Sequence, residues 1–488
     1  MRFRVYPPER ITEEVVRQAY LTGIERMSWP VRTTAEGEEL RLQRSVSDSA
    51  AIHLPWPVEG HGQPTLSSGS LIERQEPYLL PLEIARGTLV QVRNQLSDWQ
   101  LMGLSVPKGA AARLQHAVER FSWAAVSQGD NPAESARHAE ESLRASLDAA
   151  GQLSAAFADQ SLTVRRNAGR PLGLLGADLG STPLDSPTGR FFLQAFNTAE
   201  VPIGWHNTET TEGRYAWAVN DSQIEWCQRH HLKVLGGPLL MLDSAGLPDW
   251  LYLYEDDFES VLDLVSALVR AAVERYRGRV DAWVCAARVN TAEVLSLTEQ
   301  QRLRLVARCV ELTRALDPDT PALVSFDQPW AEYMRDRNCD FPPLHFADTL
   351  LRADLDISGL MLEMNIGYYP GGTLARHPIE FSRQLDTWSL FGLPLWISLC
   401  APSAATADKL AARKASLPAG GWTPASQQAF AARFVPLALA KPAVQGVLWN
   451  QLRDNQPHDF PHGGVLDARG KPKPAMGTLA AIRKAYLK

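Results

Sequence analysis

From about residue 165 onward, short apolar runs alternate with amphipathic segments of helical spacing. The runs are Leu172 to Gly176, Phe192 to Asn197, Leu232 to Met241, Val280 to Ala286, Ala322 to Phe326, Ile357 to Leu362, Leu393 to Leu399 and Val444 to Trp449. Between them lie helical patterns such as Asp257 to Arg275 and Glu299 to Ala315. Eight strand–helix units in about 320 residues predict a (β/α)8 barrel of the TIM type over residues 165–488. A doubly wound open sheet is the structural alternative, but no Gly-rich phosphate loop follows any of the strands.

The first 104 residues have a different texture. Short β-rich runs (Met1 to Tyr6, Glu39 to Arg44, Ala50 to Leu54, Pro77 to Ile84, Thr88 to Val92) are separated by turn formers such as Glu59-Gly60-His61-Gly62-Gln63-Pro64. This pattern predicts an antiparallel β-sandwich, of the kind found in carbohydrate-binding modules. Residues 105–164 then become rich in Ala and Leu at helical spacing, over Lys108 to Ser127 and Pro132 to Ala158. Asn131 as N-cap, Pro132 at the first helical position and Glu134 in the first turn mark the second start. The two helices form a hairpin linking the larger units, and their amphipathic faces are expected to pack against the chain itself, with a surface for homo-oligomerisation as the alternative.

Composition narrows the function. With 45% hydrophobic residues in 488, the chain can bury a sizeable core, which excludes a disordered or fibrous class. A formal charge of −6 gives no basic footprint for nucleic acid. No apolar stretch reaches the ~18 residues needed to span a bilayer. The opening Met1-Arg2-Phe3-Arg4-Val5-Tyr6-Pro7-Pro8 lacks the apolar core of a secretory signal, so the expected location is cytoplasmic. Cys227, Cys285, Cys309, Cys339 and Cys400 are scattered and never form a CxxC pair, which suits buried thiols in a reducing compartment. Fourteen tryptophans raise a carbohydrate hypothesis, because sugar rings stack on indole faces.

Several segments resemble glycoside hydrolase family 10, the endo-xylanase family. They are Phe196-Asn197 with Trp205 and Glu212-Gly213; Leu232-Lys233-Val234-Leu235-Gly236 with Leu247-Pro248-Asp249-Trp250-Leu251; Tyr276-Arg277-Gly278-Arg279-Val280-Asp281-Ala282-Trp283; Gly392-Leu393-Pro394-Leu395-Trp396-Ile397; and Gly446-Val447-Leu448-Trp449 with Leu466-Asp467 and Lys471-Pro472-Lys473-Pro474-Ala475. The resemblance covers about residues 170–488 and implies the same barrel. The family's acid/base lies in a W-D-x-x-N-E motif, whose Asn-Glu positions fall here on Ala287 and Arg288. Its nucleophile lies in W-I-T-E, which falls on Ser398 and Leu399, and its strand-three histidine falls on Gly237. Retaining hydrolysis needs two carboxyl groups about 5–5.5 Å apart, and neither Arg nor Leu can serve.

In such a barrel the C-terminal ends of the strands face the substrate. Those ends hold Asp178, His206, Asp243, Arg288, Asp327, Glu363 with Asn365, and Trp449 with Asn450. Glu363 falls where the family carries a strand-six histidine, and Asp327 ends the neighbouring strand, so the two are the candidate catalytic carboxyls. Their bland reading is a loop cap for Asp327 and a structural ion pair of Glu363 with Arg288. Arg288 suits a substrate carboxylate such as a uronic acid, or charge compensation. His206, Asp243, Asn365 and Asn450 are candidate sugar contacts, and Trp250, Trp330 and Trp449 candidate stacking rings. The Tyr368-Tyr369-Pro370-Gly371-Gly372 loop adds ring-stacking potential or is plain turn chemistry. His458 and His462 lack a third ligand at convincing spacing, so neither a metal nor another cofactor is expected. The expected ligand is a carbohydrate, bound by a glycoside hydrolase-like enzyme with non-family carboxylates or by a catalytically inactive glycan-binding or scaffold relative.

These substitutions predict no retaining turnover of xylan at the family's positions. Reducing-sugar release from xylan that survives Glu363→Gln would overturn that reading.

Overall fold

The computed structural model describes residues 1–337, 339–413 and 421–487. The chain forms two compact units. The first comprises Met1–Val164 with the segments 330–337 and Leu374–Leu385; the second comprises Arg165–Pro329, Cys339–Thr373 and 386–487.

In the first unit, strands β1 (Arg2–Arg4), β2 (Tyr20–Thr22), β3 (Ser28–Trp29), β4 (Arg32–Glu36), β5 (Glu39–Gln43), β6 (Ala51–Pro55), β7 (Thr65–Ser67) and β8 (Tyr78–Leu79) build two four-stranded sheets. Their orders are β4-β5-β1-β8 and β3-β2-β6-β7. All pairings are antiparallel except β1 with β8. Phe3, Leu40 and Leu42 from one sheet and Leu21, Ile52 and Leu54 from the other meet in a single core, which makes the pair a sandwich.

The expected strands at Pro77 to Ile84 and Thr88 to Val92 are a correction. Beyond the two residues of β8, this stretch is the start of helix α2 (Leu80–Leu101), which follows the short α1 (Glu13–Gln18). Ala85, Leu89, Val92 and Trp99 are buried at helical spacing, a period that the run of apolar and β-branched residues masks. Gly87 lets α2 approach β7, since a β-carbon there would stand 2.0 Å from the Ser67 carbonyl oxygen. Helices α3 (Lys108–Ser127) and α4 (Pro132–Asn167) follow, so the expected hairpin is two of three long helices. The Glu134 amide donates to the Asn131 side chain at 3.1 Å, as its N-cap role requires.

An ion pair lies deep in this unit. Arg376 pairs with Glu332, each with 1% of its side chain exposed. Arg376 also donates to the Tyr20 hydroxyl at 3.0 Å and lies over the Trp330 ring. Tyr20 in turn stacks on His53, whose Nε2 meets the Thr22 hydroxyl at 2.9 Å.

The second unit opens with β9 (Leu174–Asp178), helix α5 (Ser186–Ala195), β10 (Thr198–Val201), β11 (Lys233–Gly236) and the two-residue β12 (Leu240–Met241). It continues with β13 (Ala282–Ala287), β14 (Ala322–Asp327), β15 (Gly359–Asn365), β16 (Leu395–Cys400) and β17 (Val444–Trp449). Every pairing is parallel, and β11 pairs with β13, which closes the eight main strands into a barrel. One expectation is displaced: Phe192 to Asn197 is not the second strand. Asp185 caps a helix there, its side chain accepting from the Thr188 amide, and the strand begins at Thr198.

Side chains alternate between the two faces of a strand. Leu174, Leu235, Val284, Leu323, Met361, Trp396 and Leu448 cluster as one apolar layer, with Gly446 making room for the Trp396 ring. Two residues further along β14, β15, β16 and the exit of β17, the same period brings Ser325, Glu363, Ser398 and Asn450. The apolar layer is the floor of a polar chamber.

Replacing Arg376 with Met removes one partner of a buried pair, at a cost of about 3–5 kcal/mol, while adding Glu332→Leu restores most of it. Urea unfolding of both variants checks this; equal losses in the single and double variants would overturn it.

Candidate active site

A cavity of about 670 Å³ opens over the C-terminal ends of the strands, within the size range of small-molecule sites. Asp178 from β9, Glu200 from β10, Glu363 from β15 and Ser398 from β16 line it, together with Arg288 just beyond β13 and Asn450 just beyond β17.

Arg288 organises one wall. It is 3% exposed, and its backbone φ of +60° lies in the left-handed region that non-glycine residues seldom occupy. Its Nη1 stands 2.6 Å from Asp243 Oδ2 and 2.5 Å from Asp459 Oδ2, and its Nε 3.0 Å from Glu363 Oε2. Arg413 adds a second cation, with Nη2 3.2 Å from Asp243 Oδ2 and Nη1 3.5 Å from Asp327 Oδ2. The Phe460 ring lies 5.8 Å from the Arg288 guanidinium carbon and 5.2 Å from that of Arg413. Burial opposes ionisation of Asp243, but the two guanidinium charges outweigh it and hold the carboxyl below its usual range.

The opposite wall carries carboxyls with no such partner. Asp178 and Glu200 are in register on adjacent strands. Asp178 accepts the Gly180 amide at 2.5 Å. Burial pushes it up to about 7, with nearby Asp459 and Glu363 adding to the effect and Gly180 and Arg288 opposing it. Glu200 is 4% exposed, and its carboxyl has no hydrogen-bond or ion-pair partner among the described residues. Burial, then the Asp178 and Glu363 carboxyls, raises it well above its usual range. Ser398 Oγ is likewise buried without a partner.

Several expected site residues lie elsewhere. Asp327 is in register with Glu363 but is fully enclosed and does not line the cavity. It holds the Gln328 amide at 2.9 Å, and burial raises its carboxyl to about 6 against the pull of Arg413. The sequence expectation of two carboxyls sharing one open pocket is therefore corrected at this residue. Arg288 has three carboxylates around its fork, the arrangement that charge compensation, one of its two expected roles, requires. His206 lines the cavity, with Nδ1 3.1 Å from the Leu247 carbonyl oxygen. Asn365 is enclosed and accepts from Asn450 at 2.9 Å. Asp243 stands behind Arg288 rather than on the cavity wall.

The stacking rings are corrected as well. Trp449 is buried and donates to the Gly463 carbonyl at 2.8 Å. Trp250 donates to the Glu209 carbonyl at 2.8 Å and packs edge-on against Trp205. Trp330 belongs to the first unit. Tyr368 is buried, with its hydroxyl on the Pro461 carbonyl at 3.0 Å. Among the described residues no Phe, Tyr or Trp lines the cavity. His458 and the His462 amide both hold Asp408, at 3.0 Å each. Among the described residues no group of three or more His, Cys, Asp or Glu is arranged to hold a metal ion, and no helix is long and apolar enough to cross a membrane.

Sequence reading missed Glu200 because it placed the second strand six residues early. The signal was Asp185-Ser186-Pro187, a helix start that assigns the following apolar residues to α5.

No protein-family model matches the chain. The endo-1,4-beta-xylanase C of Paenibacillus barcinonensis is 26% identical over 119 residues, which span 22% of this chain and 11% of that protein. Xylanase 10B of Thermotoga maritima gives a TM-score of 0.49 at 14% identity, covering 67% of this chain and 97% of that one. Xylanase 10B of Thermotoga petrophila, solved with xylobiose, gives 0.49 at 15% identity over 68% and 97%. The chain is similar to family 10 xylanases. The aligned stretch of the Paenibacillus xylanase is a small part of that protein, so the likeness in sequence is local.

Asp178 yields a test of the electrostatics. Its folded-state carboxyl is raised from 3.8 to about 7, so its contribution to stability is full below 3.8 and is lost as pH rises through about 7. Asp178→Asn removes that dependence. Thermal melts at about pH 5 and about pH 8 should show the variant gaining on the parent protein as pH rises. A constant gap would mean the carboxyl is not raised.

Proposed function

We propose that this chain is a glycoside hydrolase-like enzyme that acts on an oligo- or polysaccharide with carboxyl groups other than the family 10 pair. The observation that carries this reading is the cavity over the barrel's C-terminal ends, whose wall carries Glu363, ion-paired with Arg288. An ion-paired carboxylate is suited to activate water or to stabilise positive charge developing at an anomeric carbon. Under the family resemblance, the acid/base position falls on Arg288 and the nucleophile position on Leu399, so the chemistry has to rest on other groups. Asp327, enclosed behind Arg413, supports the site by neutralising that cation rather than by meeting substrate. With no Phe, Tyr or Trp on the cavity wall among the described residues, hydrogen bonds from groups such as Asn450, His206 and Ser398 are the means of holding a sugar.

A binding-only protein is the second reading. It is favoured by the three carboxylates around Arg288, a network complete without substrate.

Glu363→Gln separates the two. Hydrolysis of a panel of oligosaccharides should fall by about 100-fold or more with the circular dichroism spectrum unchanged. Calorimetric binding of an oligosaccharide with no turnover by the unaltered protein would favour the binding reading.

A further inference from the structure

We propose that Glu200, in register beside Asp178, is the proton donor of the site and that it works with Glu363 across the barrel in a single-displacement hydrolysis. This rests on the reading of the cavity as a glycosidase site.

The topology places the two groups. Around the closed sheet, β10 and β15 are four strands apart through β9, β17 and β16, and equally four apart through β11, β13 and β14. Glu200 and Glu363 therefore stand on opposite walls, and both line the cavity. Carboxyls on opposite walls of a cavity of about 670 Å³ suit an inverting site, which needs space for a water beside the sugar, better than a retaining one. Their surroundings also divide the roles. Glu363 accepts from Arg288 Nε at 3.0 Å and from the Ser325 hydroxyl at 3.3 Å. The Glu200 carboxyl has neither cation nor hydrogen-bond donor in contact with it among the described residues, and the in-register neighbour of Glu200 is Asp178, another carboxyl. Two buried carboxyls side by side do not both ionise readily, and the one without a donor is the better place for a proton. The charged and titratable groups facing this pair are Glu363 on β15, Arg288 beyond β13 and Asp459 in the loop after β17, while His206, Lys409 and His458 also line the cavity. The carboxyls outnumber the cations, which agrees with the raised proton affinity of Glu200 and Asp178.

The step balances. The Glu200 O–H proton passes to the glycosidic oxygen as the bond from that oxygen to the anomeric carbon breaks, its electron pair staying on the leaving oxygen. Water attacks the anomeric carbon from the opposite side and gives its proton to Glu363. Glu200 ends ionised and Glu363 protonated, and exchange with solvent restores both.

Leaving-group dependence is the test, using the full chain and paired dinitrophenyl and methyl glycosides of glucose, xylose, galactose, mannose and N-acetylglucosamine. A dinitrophenolate leaves without protonation. Glu200→Gln should therefore lose about 100-fold or more on the methyl glycosides, stay within a few-fold on the dinitrophenyl ones, and lose the alkaline limb of the pH profile. Glu200→Asp should recover part of the loss, and the product should first appear as the inverted anomer by proton NMR. Equal losses on both substrate types, or none, would overturn the assignment while leaving the glycosidase reading intact. If the unaltered protein cleaves neither type, the glycosidase reading fails and the assignment with it. Should Glu200→Gln not fold, the carbon-13 carboxyl resonance of Glu200 in the parent protein decides: protonated near neutral pH supports the proposal, ionised overturns it.

Discussion

A single buried guanidinium holds the barrel mouth together. Arg288 has to be taken out of water, and an isolated buried charge is tolerated only when it is paired and hydrogen-bonded. Three carboxylates from different parts of the chain supply that pairing: Asp243 after β12, Glu363 on β15 and Asp459 after β17. Glu363, the buried one of the three, in turn has Arg288 as its cation, while Asp243 and Asp459 keep part of their surface in solvent. The network fixes where three loops can run, and the left-handed backbone at Arg288 is the local strain that this convergence sustains. Phe460 covers the guanidinium faces of both Arg288 and Arg413, adding cation–π attraction to the ion pairs.

The chamber above the apolar floor follows from strand geometry. Period-two alternation makes the same face of a strand apolar at one level and polar at the next, so a change of residue type two positions on converts packing into chemistry. Around that chamber charge is unevenly compensated. The β15 side has guanidinium groups, whereas the β9–β10 side has two carboxyls and no cation in contact. A difference of proton affinity between carboxyls in one cavity is the condition that lets one give a proton while the other receives one.

The barrel was legible in the sequence because buried parallel strands are nearly continuous apolar runs, and most of them, from Val280 to Ala286 through Val444 to Trp449, stand close to where they were read. Glu363 and Arg288 were legible for the same reason, as polar residues ending apolar runs. Glu200 was not, because Thr198–Val201 is short and half polar, while the louder run before it is a helix. The start of α2 was lost for the reverse reason: the β-branched Thr88, Val90 and Val92 favour strands locally, and tertiary packing against β7 overrides them. Tryptophans at strand ends were read as sugar platforms, yet Trp250 and Trp449 spend their indole N–H groups on backbone carbonyls, a contact that composition cannot reveal.

The Arg376–Glu332 pair has a consequence for biosynthesis. Both residues belong to the first unit, but they lie far downstream of its other members, beyond β14 and β15 in the chain. A ribosome delivers the sandwich and its helices long before it delivers the two segments that complete them. Until residue 385 has emerged, Tyr20 lacks its guanidinium partner and the unit's interior has a polar gap. Strict domain-by-domain folding in order of synthesis is therefore closed to this chain. Its amino-terminal unit must wait, partly built, for most of the barrel to be translated, and the interval is one in which a chaperone has something to hold.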